Sequence, residues 1–116
     1  KGMSIDELAK EIHTNATEKG FWDYMYENAE PKADPFIFFA KQIAMIHSEA
    51  TEVLEALRKQ KGANEVVEEL ADVIIRVLDL YEGLKMHGDV RDSLDETLMR
   101  KMSINTHRAK MHGVLG

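Results

Sequence analysis

At 116 residues the chain has the length of one domain, and its 44% hydrophobic and 31% charged content is that of a globular protein rather than a disordered one. The net charge of −6 argues against a broad nucleic-acid or anionic-membrane surface, because binding phosphate backbones takes concentrated Lys and Arg. A small anionic substrate stays open if metal ions bridge it to the acids. With no cysteine there is no disulfide framework, thiolate metal site or Cys nucleophile, which fits the cytosol. No apolar run reaches the roughly 18 to 20 residues of a membrane-spanning helix and no signal-peptide core opens the chain, so neither a membrane nor export is expected and the location is read as cytoplasmic. The opening Lys1-Gly2, without Met, points to processing or truncation and carries no argument.

Ser4 followed by Glu7 is a capping-box pattern, and Ile5, Leu8, Ala9 and Ile12 fall at helical spacing. They predict a first helix from Ile5 to about Glu18, stopped at Gly20. From Phe21 to Ala33 the periodicity disappears into an aromatic-rich ordered loop with at most a helical turn. Asp34-Pro35 restarts the chain as N-cap and first helical residue, and the second helix runs to about Lys61, where Gly62 stops it. Asn64 is expected to cap a third helix to about Met86, and Asp89 a fourth to about Arg108. The Met111–Gly116 tail is expected to be irregular. The whole reads as a single domain over 1–116: an N-terminal helix and loop (1–33), core helices (34–108) and a tail (109–116).

The chemistry concentrates between Glu49 and Asp79. At about 100° per residue, Glu65, Glu69, Asp72, Arg76 and Asp79 share a polar sector of about 80° on the third helix, while valines, leucines and isoleucines fill most of the rest. On the second helix Glu49 borders the apolar face and Glu52 lies about 60° further round, whereas Glu55 reads as surface. Counting from Gly62, both pairs lie about 10 to 20 Å from the turn, so an antiparallel hairpin sets them side by side. Carboxylates inside oily helices need compensation. Converging on one cleft, they suit Mg²⁺, with Mn²⁺ as the alternative: hard ions that accept substrate phosphates as further ligands. Equally consistent with the spacing is a structural network in which Glu49 and Glu52 pair with lysines and Asp72 with Arg76. On the fourth helix Lys101, Asn105 and Arg108 share one stripe, fit either for phosphate and sugar oxygens or for a solvated basic face. His13, His87 and His107 form no evident constellation, and His47 lies away from Glu49.

The order Ile46-His-Ser-Glu-Ala-Thr-Glu-Val-Leu-Glu-Ala-Leu-Arg58, then Glu68-Glu-Leu-Ala-Asp-Val-Ile-Ile75, then Lys101-x-x-x-Asn105-x-x-Arg108 and His112-Gly113 resembles the MazG-like all-α nucleoside triphosphate pyrophosphohydrolases over roughly Pro35 to Gly113. The resemblance implies Mg²⁺-dependent hydrolysis of a nucleoside triphosphate to monophosphate and pyrophosphate. It makes Glu49, Glu52, Glu69 and Asp72 metal ligands, with Glu49 or Glu52 also acting on the attacking water. Lys101, Asn105 and Arg108 would hold substrate, and Trp22 is the aromatic candidate for stacking on a base, against a reading as core anchor. The sequence departs from many relatives in ending soon after His112-Gly113, without a further basic residue. The expected fold is an all-α antiparallel bundle of four main helices completed by oligomerisation, because the third helix is apolar over more arc than three neighbours cover; the resemblance implies a homodimer or homotetramer. The rival readings are hydrolysis of another phosphorylated nucleotide metabolite, such as phosphoribosyl-ATP, and a non-catalytic helical interaction module.

Overall fold

A computed structural model describes residues 2–25, 34–88 and 90–115, with the side chains of Tyr24 and of 109–115 outside the description. All its regular structure is helical: α1 (Ile5–Glu18), a 3₁₀ turn (Asp23–Met25), α2 (Pro35–Arg58), α3 (Ala63–His87) and α4 (Leu94–Leu115). No described helix is long and apolar enough to cross a membrane.

The predicted starts of the first two helices are where the capping chemistry put them. The Ser4 hydroxyl accepts the Glu7 N–H at 3.1 Å while the Glu7 carboxylate accepts the Ser4 N–H at 2.9 Å, and Asp34 accepts from Phe36 at 2.9 Å ahead of Pro35. The third start differs. Gln60 (φ 54°) and Gly62 (φ 99°) reverse the chain so tightly that helical geometry resumes at Ala63, with Gly62 as a cap lacking a side chain and Asn64 already inside the helix. The fourth start differs more. Asp89 lies outside the described residues, and α4 begins only at Leu94, with Ser93 and Glu96 forming a second reciprocal box at 3.0 and 3.3 Å. The expected irregular tail is helical as far as Leu115.

α2 and α3 form the expected antiparallel hairpin, and α1 lies across α3. The core sits where α1, the aromatic loop, α2 and the second half of α3 meet. Its centre is Trp22, fully buried, with Phe38 at 5.0 Å between ring centroids and the His13 ring edge-on at 4.7 Å. Gly83 backs the indole so closely that a Cβ there would collide with it.

Closure by α4 is only partial. Asp6 on α1 accepts the Leu94 and Asp95 N–H groups at 2.9 and 3.0 Å and the Tyr81 hydroxyl at 2.9 Å, fastening the start of α4 to α1 and α3. Burial opposes the Asp6 charge, yet the Leu94, Asp95 and Tyr81 hydrogen bonds hold its carboxyl below the ordinary range. Beyond that clasp every residue from Leu98 to Arg108 is exposed. The radius of gyration of 16.9 Å accordingly exceeds the roughly 13 Å of a compact chain this long. Large apolar side chains stand in solvent on α2, α3 and α4 alike, Phe36, Ile37, Leu57, Val67, Ile74 and Met102 among them.

Candidate metal centre

The hairpin brings three of the four predicted acidic ligands together. Glu49 comes from the middle of α2, and Glu69 and Asp72 from successive turns of one α3 face. Each offers a carboxylate oxygen, and the three oxygens lie within 4.8 Å of one another. Glu52, one turn beyond Glu49, is exposed and stands outside this trio, although its charge is felt at Glu69. The height band of about 10 to 20 Å from Gly62 therefore locates the cluster only coarsely, and the trio takes Glu49 rather than Glu52, the acid whose count from Gly62 equals that of Asp72.

The electrostatics are those of a site short of positive charge. Partial burial, followed by the like charges of Asp72, Glu52, Glu65 and Glu49, pushes the Glu69 carboxyl above its ordinary value. Among the described residues neither Glu69 nor Asp72 has a cation within ion-pair distance. Arg76 does not take Asp72, the partner its own helix offers four residues away. It reaches across to α2, where its Nε donates to Glu49 Oε2 at 3.2 Å and its Nη1 contacts Met45 Sδ at 3.6 Å. Lysine partners for Glu49 and Glu52 do not occur among the described ion pairs.

These residues suit a divalent cation held by oxygen. An octahedral Mg²⁺ with bonds of about 2.1 Å spaces its ligand oxygens about 3 Å apart when adjacent and about 4 Å when opposite. The trio needs only a small closure to reach that spacing, and hard carboxylate donors without sulfur or imidazole match Mg²⁺ or Mn²⁺.

A groove of about 300 Å³ runs from Glu49 and Asp72 along the seam between α1 and α3. On the α3 side it is lined by Asp72, Ile75, Arg76 and Asp79, which recur at one helical face. Ile12, Asn15, Ala16 and Lys19 do the same on α1, and Phe21 closes the rim. Of the Phe21-Trp22 pair, Phe21 is the exposed ring beside the groove. Trp22 faces the other way into the core, so the expectation that it stacks on a base gives way to the core-anchor reading: no face of the indole is open.

At the far end of the groove lies a constellation that sequence reasoning missed. Asp79 accepts the Trp22 indole N–H at 3.0 and 3.1 Å, and His13 Nδ1 lies 2.7 Å from Asp79 Oδ1, all three groups buried. Since a carboxylate only accepts, the His13 Nδ1 carries the hydrogen. His87 adds a parallel ring at 6.2 Å from Trp22. These partners are 57 and 66 residues from Asp79 in sequence, and the only signal for them was Asp79 itself on a helix face that α1 had to cover.

Lys101, Asn105 and Arg108 are all exposed on α4, and among the described residues none from α4 lines the groove. One chain therefore does not bring this stripe to the acids. Comparison of the chain with family models, with curated proteins and with solved structures finds no match.

Proposed function

We propose that the protein is a Mg²⁺-dependent nucleoside triphosphate pyrophosphohydrolase of the MazG-like kind, cleaving a (d)NTP to the monophosphate and pyrophosphate and so keeping the cytoplasmic nucleotide pool clean. The observation that carries this reading is the convergence of Glu49 with Glu69 and Asp72, two of which, Glu49 and Asp72, line a groove of about 300 Å³. Those three carboxylates would hold the metal. Glu52, exposed beside them, is placed with Glu49 as the acid that orients or deprotonates the attacking water. A bound divalent ion offsets triphosphate charge, polarises the phosphorus and lowers the pKa of a coordinated water. The groove then receives the rest of the nucleotide, with Phe21 at its rim as the ring available for stacking.

The reading includes self-association. Exposed apolar residues on α2, α3 and α4 make up far more surface than scattered singletons, as expected of an interface. A second copy packed there would cover α3 and supply the Lys101, Asn105 and Arg108 stripe that one chain leaves away from its own acids. A homodimer or a pair of dimers satisfies this.

The Arg76–Glu49 ion pair favours the rival reading of a non-catalytic interaction module, but it neutralises one acid of the trio and leaves Glu69 and Asp72 without a cation. Incubation with a panel of ribo- and deoxyribonucleoside triphosphates and Mg²⁺, followed by ³¹P NMR, separates the readings. Monophosphate with pyrophosphate is expected. No release from any nucleotide sinks the proposal, and diphosphate with orthophosphate places the cleavage at the wrong bond.

A further inference from the structure

Among the described residues Arg76 is the one cation in contact with the acid trio, and it sits where two demands meet. Its guanidinium holds Glu49, the acid from the opposite helix, and so competes for a carboxylate that a metal ion would need. Its side chain also lines the groove, as does Lys19 on the facing helix. The hold on Glu49 is light: a single Nε contact at 3.2 Å instead of a two-pronged fork, supplemented by a weak contact to the Met45 sulfur. With side-chain exposures of 31% for Arg76 and 21% for Glu49, the pair is reachable by water and is not locked in the core.

Three carboxylates and one guanidinium leave a deficit of two positive charges, which a divalent ion fills with Arg76 still present. Charge balance alone therefore does not expel the guanidinium; the ion repels it and competes with it for the Glu49 carboxylate. The nearest alternative for a long cation lining the groove is an anion inside it. A triphosphate brings roughly four negative charges, more than one divalent ion balances.

We infer that Arg76 is an exchangeable counter-ion of the metal centre: it neutralises Glu49 while the site is empty, yields Glu49 to the divalent cation, and then binds phosphate oxygens of the nucleotide in the groove opposite Lys19. This rests on the metal-site reading above and assigns to that site a substrate-contacting residue outside the four acids and the α4 stripe. Arg76 thereby couples the two ligands, since a metal-free site keeps its phosphate-binding cation turned away.

The test uses the full chain and two variants, Arg76→Gln and Arg76→Lys, with circular dichroism confirming the fold of each. Mn²⁺ alone is titrated first, with free ion read by electron paramagnetic resonance. Removing the competing cation is expected to tighten Mn²⁺ about tenfold in Arg76→Gln, whereas Arg76→Lys stays within about threefold of the wild type. At saturating Mn²⁺, a non-hydrolysable α,β-imido triphosphate is then expected to bind Arg76→Gln about tenfold more weakly, with partial recovery in Arg76→Lys. A general structural role would weaken both steps together. Equal or weaker Mn²⁺ binding by a folded Arg76→Gln overturns the counter-ion role, and unchanged nucleotide affinity overturns the phosphate contact. If neither wild type nor Arg76→Gln takes up Mn²⁺, the metal-site reading has failed and this inference with it. If both bind Mn²⁺ equally, that reading stands and only the role of Arg76 is wrong.

Discussion

Asp72 and Asp79 lie two turns apart on the same face of α3, both line the same groove, and their surroundings are opposite in kind. Asp79 is buried and meets donors: the Trp22 indole N–H and the His13 ring, carried to it by α1 and the aromatic loop. Asp72 is exposed and meets acids: Glu49 and Glu69, with no cation in reach among the described residues. An acid surrounded by donors is a finished structural joint. On the proposed reading, an acid surrounded by acids is a cation ligand, and substitutions at the two positions should therefore act differently, one on stability and the other on binding.

The largest expected effects lie at the buried end. Asp79→Ala strips the indole N–H and His13 of their acceptor and is expected to lower unfolding free energy by about 3 to 5 kcal/mol in urea melts. Gly83→Ala forces a methyl against the fully buried Trp22 ring and should cost about 1 to 3 kcal/mol in the same assay, because the indole has no free space to shift into. Asp72→Asn is expected to change the stability of the metal-free protein by no more than about 0.5 kcal/mol and to remove pyrophosphate release. Loss of stability in Asp72→Asn as large as in Asp79→Ala would erase the distinction between the two ends of the groove, and retained activity would remove Asp72 from the metal centre.

The smallest effects are in the pH profile of the metal-free protein. Glu69 has a raised carboxyl in the folded state, so between its ordinary value and that raised one the native chain holds more proton than the unfolded chain. Stability should therefore rise on mild acidification from neutral pH, and Glu69→Gln should flatten that rise. Asp6 has the opposite sign. Its depressed carboxyl contributes stability above the unfolded value of about 3.9, which is lost as pH falls through the folded one, and Asp6→Asn should flatten the acid limb. Thermal midpoints between pH 3 and 7, about the acid half of the usual range, read both. A metal-free profile that falls steadily from pH 7 downwards would contradict the crowding of charge around Glu69.

Local chemistry was legible in the sequence where it acts within a few residues. The Ser4 and Asp34 caps, the Gly62 reversal and the shared height band of the two acidic pairs all follow from spacing along one or two helices. What depends on a third element was not. A helical projection put Asp79 in the same polar sector as Asp72, and no property of α3 alone distinguishes them; the difference arises because α1 and Trp22 cover one turn and leave the other open. The same limitation made Asp72 the partner offered to Arg76 in the ion-pair alternative, whereas Arg76 reaches across the hairpin to Glu49. Trp22 and Phe21 are adjacent, yet the turn that returns the Phe21 N–H to the Ala16 carbonyl at 3.1 Å points one ring inward and the other out. The α4 stripe was legible as a stripe, and its distance from the acids follows from the clasp at Asp6, which fixes only the start of that helix.

If the Glu49, Glu69 and Asp72 end of the groove is a cation site, thermal unfolding of the wild type and Glu69→Gln with increasing Mn²⁺ will reveal it. Wild type is expected to gain stability in proportion to the logarithm of Mn²⁺ concentration, by about 2.7 kcal/mol at one hundred times the dissociation constant, while Glu69→Gln stays nearly flat. A wild-type midpoint indifferent to Mn²⁺, or an equal gain in both proteins, would contradict the account.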